Sequence, residues 1–415
     1  MASKSKQKRI QAMNRRETAT AAVLVAMIGA TLAIFQNKYG QFSDIRGFYG
    51  MHFADGQHQW PFSTHTLLGS TQEMNPVEYP ALTGLVMWIF SFFIAPAQYA
   101  WVDYFRLTAV VHVGLFGFLA LYLKKLSSRN LAIIFAVSPA VLYSLNRNWD
   151  IWAILPMIGA IYLFEKKKIK QSAFWLAVSI ATKFFPLVVL LPITVYFLRS
   201  KRISGGVRYI GLTIGFWVAI NLPFMLINFR GWSYFYEFSY KRSIGSATVF
   251  EIATKLGHPL PNTILLFYVF NIVALGLVLL YLMKSRRVIP IAEGTFFTMF
   301  AFILFNKQYS MQYVIWLASL AILAIGYLSK ERKTKMLILY GIWQASELAF
   351  QYSFFQNILT STYAGTATPA SPQVTSTEYG VVGLIRYALA VIFTLALAHY
   401  LNAQRKQDAS TKKAG

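Results

Sequence analysis

Apolar runs long enough to cross a bilayer recur from residue 17 to residue 402, and most segments between them are short, with lysine and arginine crowded into several. A helix needs about 20 mainly apolar residues to cross the hydrocarbon core, and backbone polar groups in lipid must be satisfied within the segment itself. That pattern specifies an all-α polytopic membrane protein. Composition agrees, since 56% hydrophobic and 13% charged residues with a mean hydropathy of +0.47 are too apolar for an ordinary soluble domain. A net charge of +24 would point to nucleic acid in a soluble chain. Here the bases sit between spanning runs, where they act as a topology signal, so no nucleic-acid partner is expected. The chain has no cysteine, which excludes disulfides, thiolate metal sites and cysteine nucleophiles.

About 12 crossings are expected, over 17–36, 103–123, 130–146, 150–164, 171–183, 184–198, 207–228, 263–283, 290–305, 311–329, 335–356 and 380–402. The stretch 171–199 is short for two full crossings, so two short helices breaking near Thr182 to Pro186, or one kinked span, both fit it. The apolar run 79–98 is treated as an in-plane or re-entrant helix. Counting it as a crossing would put KKLSSR (124–129) and EKKKIK (165–170) outside, against the positive-inside rule. With it set aside, 28 of the 39 bases fall in inner segments. The expected organisation is a cytoplasmic basic N-terminus (1–16), retained with its apolar run as an anchor, a single transmembrane domain (17–402) and a cytoplasmic basic tail (403–415) near anionic lipid. Outer loops cover 37–102, 229–262 and 357–379. That charge distribution puts both termini on the cytoplasmic side.

The carboxylates concentrate on the outer side. In FSDIRGFYG, Asp44 stands just after the first span, at a boundary where partial desolvation raises a carboxylate's basicity. A helix cap or a pair with Arg46 is the competing reading. Asp55 fits a DG turn and Glu73 a solvated loop; Glu78, in VEYP, suits a first-turn cap or a substrate contact. In NRNWDIWAILP, Asp150 has the spacing of an N-cap, with Asn148 beside it. Lys183, in ATKFFP, lies deep in an apolar region, where an ionisable group is costly and faces a cavity or a partner. Lys307, in FNKQYSMQY, joins two apolar helices, and an interfacial turn is its plain reading. Glu347 lies mid-span and requires a partner, while Arg230, Lys241 and Arg242 flank an aromatic run suited to the membrane interface. His52, His58 and His65 match no zinc spacing, and no Walker loop or GxSxG is present.

FSDI, NPVEYPALTGLVMW, NRNWDIWAI, ATKFFPLVVLLP, NLPF (221–224) and FNKQYSMQYVIWL, in this order, resemble the polyprenyl-phosphate-dependent membrane glycosyltransferases of the GT-C fold. The likeness is greatest to the actinobacterial alpha-mannosyltransferase-like group, glycosyltransferase family 87, and runs from about residue 17 to 330. FNKQYSMQY departs from the SKxYSPQY form of those relatives at Asn306 and Met311. The resemblance implies juxtamembrane helices in the first outer loop, matching 79–98, and transfer of a sugar, mannose first, from a polyprenyl-phosphate donor to a glycolipid or cell-wall glycan acceptor on the outer face of the plasma membrane. It implies Asp44 as general base. Lys183, Lys307, Arg46 and Arg242 are then candidates for the donor phosphate, and Glu78, Tyr79, Asn148 and Asp150 for sugar or acceptor. No cofactor is expected, because the lipid-linked sugar enters as substrate; a metal requirement stays open. The alternatives are a lipid-linked sugar carrier or flippase that makes no bond, and a non-catalytic cell-envelope scaffold.

Overall fold

A computed structural model describes residues 43–53, 58, 60–63, 76–362 and 374–414. The expected segment 1–16, the span 17–36, and Asp55, His65 and Glu73 lie outside the described residues. Among those described, every regular element is a helix.

The described elements begin with α1 (Asp44–His52) and α2 (Ala81–Ser91), followed by α3 (Ala100–Leu126), α4 (Arg129–Ala136), α5 (Pro139–Ser144), α6 (Asp150–Glu165) and α7 (Ile169–Thr182). A 3-10 turn (Phe185–Val189) leads into α8 (Leu190–Arg199), α9 (Ile203–Ile227), α10 (Phe229–Lys241), α11 (Val249–Lys255) and α12 (Thr263–Lys284). The last elements are α13 (Ile291–Leu304), α14 (Tyr313–Gly326), α15 (Lys330–Thr362) and α16 (Ser376–Ala414). By length and composition, α3, α9, α12 and α16 are long and apolar enough to cross a membrane, and the remaining apolar helices are shorter. The expected crossing 130–146 is two short helices, because Pro139 interrupts it after Val137 and Ser138 leave helical geometry. The run 79–98 contains only the 11 residues of α2, about 16 Å of helix, too short for the hydrocarbon core. The basic tail continues α16 as helix as far as Ala414.

Burial sorts the helices by role. Every residue of α14 from Tyr313 to Ile325 is buried, as expected for a helix apolar all round at the centre of a bundle. In α12 only Leu282 is buried, while Leu265, Val269, Ile272 and Leu277 are exposed. An apolar face of that extent belongs against lipid.

Contacts divide the molecule into two ends, and the division matches the charge reading. At one end Gly326 abuts Ser127, Tyr327 donates to Glu165, and Arg332 donates to Gln404. Arg287 approaches Asp408, and Arg199 donates to the carbonyls of Leu282, Ser285 and Arg287. Those contacts gather the basic clusters 124–129, 165–170, 199–202, 284–287 and 330–335. At the other end Asp44 meets Asn148, Thr83 meets Thr182, Glu78 faces Arg242, and Lys307 reaches Tyr240.

The 171–199 stretch is an out-and-back pair. The α7 helix runs from Ser172, which contacts Tyr209, to Thr182 at the opposite end; α8 returns until Phe197 again packs on Tyr209 and Phe164. The break is at Lys183, whose backbone is extended (φ −150°, ψ 138°), and Pro186 follows within the 3-10 turn.

Mid-bundle charges are paired. Glu347 on α15 accepts from Arg386 Nε on α16 at 2.8 Å and from Trp343 Nε1 at 3.1 Å, with both charged side chains fully buried. That is the partner Glu347 required. Arg386 also stacks on Tyr309, 3.8 Å from its ring centroid, and donates to the Tyr309 carbonyl, tying the pair to the 305–312 loop.

Candidate active site

A cavity of about 490 Å³ opens at the end opposite the basic clusters. Asp44, Phe48, Glu78, Tyr79 and Asn148 line one part; Lys183 to Phe185 enter from the break between α7 and α8. Aromatic residues of α10 with Arg242, then Phe267 and Tyr268 of α12, form further wall, and residues 306–313 complete it. Tyr268 is also exposed on the outside of α12, so the cavity borders the face assigned to lipid.

Asp44 owes its position to the 146–150 turn. Its backbone N–H donates to the Arg147 carbonyl at 2.9 Å, and Ser43 Oγ donates to the Asn146 carbonyl at 2.7 Å. As the first residue of α1 its negative charge also meets the positive helix end. Its Oδ2 accepts from Asn148 Nδ2 at 2.7 Å, and the same nitrogen donates to Tyr79 Oη at 2.5 Å. Burial pushes the Asp44 carboxyl above its ordinary range, partly offset by the Asn148 hydrogen bond and then by the Lys183 charge. The Tyr79 hydroxyl is pushed well up by burial and by Asp44.

Lys183 is locked beneath the cavity by Asp150, whose Oδ1 accepts from Nζ at 2.8 Å and from Trp316 Nε1 at 2.6 Å. With only 1% of its side chain exposed, Asp150 contributes no cavity surface. It is the first residue of α6 and not its cap, so both sequence-based roles give way to one: holding Lys183. Glu78 lies before α2 rather than in its first turn, 3.9 Å from Arg242, and burial raises its carboxyl despite that arginine. Lys307 Nζ donates to the Tyr240 carbonyl at 2.7 Å, and burial lowers its ammonium.

Arg46 is placed elsewhere. Its guanidinium lies over Trp101 and Phe105, 4.8 and 4.7 Å from the ring centroids, and it does not line the cavity. Seven expected site residues therefore line one cavity: Asp44, Glu78, Tyr79, Asn148, Lys183, Arg242 and Lys307. His52 stacks on Phe48 and His58 on Phe92. Among the described residues no group of three or more His, Asp or Glu is arranged to hold a metal ion.

Beside Lys307 and Tyr313, the cavity is lined by Gln308, Ser310 and Gln312, which the sequence reading did not single out, and by Asn306, noted there only as a departure from the SKxYSPQY form, while Tyr309 and Met311 are buried. The polar residues interleaved with Tyr309 and Met311 were the available signal. Gly245 makes the arrangement possible: a Cβ there would collide with the Gln308 side chain, and Gly245 N donates to the Lys307 carbonyl at 2.8 Å.

No protein-family model matches the chain. GPI mannosyltransferase 1 of Debaryomyces hansenii is 26% identical to it over 245 residues, which cover 51% of this chain and 58% of that protein. The chain thus spans little more than half the length of this curated relative. Its apolar helices and this similarity together make it a membrane protein akin, over about half its length, to a mannosyltransferase.

Proposed function

We propose that the protein is an integral membrane glycosyltransferase that moves a sugar, mannose first, from a polyprenyl-phosphate donor to a glycolipid or cell-envelope glycan acceptor at the non-cytoplasmic face. The observation that carries this reading is one cavity with Asp44 on one part of its wall and Lys183, Arg242 and Lys307 on others, bordered by the lipid-facing helix α12. The mannosyltransferase name of the Debaryomyces hansenii relative supports the choice of sugar. The resemblance of its motifs to those of glycosyltransferase family 87 supports the polyprenyl-phosphate donor.

In this mechanism Asp44 takes the proton of an acceptor hydroxyl as that oxygen bonds to the anomeric carbon. The bond from that carbon to the phosphate oxygen breaks in line, its electron pair leaves with polyprenyl phosphate, and configuration inverts. The leaving group is already anionic, so it needs fixed positive charge more than a proton donor. Arg242 and Lys307 supply that charge beside α12, and Lys183 from the break between α7 and α8. The neutral amides and hydroxyl of Asn306, Gln308, Ser310 and Gln312 offer donors and acceptors suited to a polyhydroxyl ring.

The test incubates purified protein with radiolabelled polyprenyl-phosphomannose and a membrane lipid extract, comparing wild type with Asp44→Asn. Label transferred by wild type alone supports the reading. Movement of intact donor across proteoliposomes without release of polyprenyl phosphate would replace it with a carrier.

A further inference from the structure

We propose that Asn148 is a positioning residue that presents the Asp44 carboxylate to the substrate with one oxygen tied and the other left to take the proton. The inference rests on the transferase reading for its catalytic meaning, but its geometric content is independent of any substrate.

Asn148 is 4% exposed and both ends of its amide are bonded. Oδ1 accepts from the Trp149 backbone N–H at 2.6 Å, and Nδ2 donates to Asp44 Oδ2 at 2.7 Å and to Tyr79 Oη at 2.5 Å. Reversing the amide would set its oxygen against a carboxylate oxygen and its NH₂ against an N–H, so the bonds fix one orientation. Both N–H groups are thereby spent on protein. Asn148 has no donor left for a sugar, and its place in the reaction runs through Asp44 and Tyr79.

The amide is anchored from behind. The 146–148 turn that carries it also accepts from Ser43 Oγ and Asp44 N, so the carboxylate is gripped at its backbone and at Oδ2 by one piece of chain. Oδ1 is left as the oxygen for the acceptor proton. Because Tyr79 Oη accepts from Asn148, its own hydrogen points away from the amide. The Tyr79 ring is held edge-on to Phe48 and Trp149, at 5.1 and 5.8 Å between centroids.

Other charges also act on Asp44: Lys183 and Arg147 favour its ionised form, Asp150 opposes it, and Glu78 and Tyr79 interact with it. All of these remain when only residue 148 is changed. A hydrogen bond from Nδ2 stabilises the carboxylate, so its removal raises the pH at which Asp44 takes up a proton.

The experiment follows the carboxylic C=O stretch of Asp44 by infrared difference titration of substrate-free protein, identifying the band by its loss in Asp44→Asn. In Asn148→Ala, and in the bulkier apolar Asn148→Leu, the midpoint should move up by about one pH unit. With donor present, the acid limb of turnover should move by the same amount while the KM for donor stays within about twofold. An unchanged midpoint in a folded variant overturns the proposal. So does misfolding of both variants, which would make Asn148 a structural residue only. A shifted midpoint in a protein that transfers no sugar would leave the positioning intact and remove the transferase reading instead.

Discussion

Asp44 and Lys183 differ in what holds them, and so in what their replacement does. Asp44→Asn keeps the shape and the Asn148 contact but removes the base. Turnover should fall by about 10²–10⁴-fold, while size-exclusion elution and thermal midpoint stay as in wild type. Because burial raises the Asp44 carboxyl, activity in the wild type should be lost as pH falls through a value above the ordinary carboxylate range. A pH–rate profile in a buffer series checks that sign. Lys183 is locked to a buried carboxylate, and removing it as Lys183→Met strands Asp150. Breaking such a pair costs about 3–5 kcal/mol, so the thermal midpoint should drop. Lys183→Met with Asp150→Asn should recover much of that loss without recovering transfer, which separates stability from chemistry.

At the scale of elements, the 305–312 loop is positioned by what lies on both of its sides. Behind it, the Glu347–Arg386 pair joins α15 to α16 and grips Tyr309. Glu347→Ala leaves a buried guanidinium without its carboxylate and should destabilise the bundle by about 3–5 kcal/mol, read as a lower unfolding midpoint in detergent. In front, Gly245 leaves room for Gln308. Gly245→Ala pushes aside only the end of a flexible side chain, so the fold should persist. The expected effect is a several-fold rise in the KM for donor with an unchanged melting curve.

At the scale of the whole molecule, the absence of cysteine makes topology directly measurable, since any introduced cysteine is the sole thiol. Lys166→Cys and His258→Cys replace exposed residues in the basic end and in the loop after α11. An impermeant maleimide applied to intact cells should label His258→Cys and reach Lys166→Cys only after permeabilisation. The reverse pattern would invert the orientation of the cavity.

The sequence by itself determined the class of fold, the gathering of the basic clusters at one end and the setting aside of 79–98 from the crossings, because hydropathy and charge act locally and leave their pattern in the chain. It also marked Lys183, since an ionisable group deep in an apolar run is costly, while Asp44, Asn148, Asp150 and Lys307 were marked by the motifs that resemble the GT-C enzymes. Partnership was decided only by the tertiary structure. That Asp150 is consumed by Lys183, that Arg46 lies over Trp101 and Phe105, and that Glu347 meets Arg386 depends on side chains brought together from 33 and 39 positions apart or from different helices. A charge near an apolar run looks the same in sequence whether it faces a substrate or another residue. Only the three-dimensional register of the helices selects its neighbour.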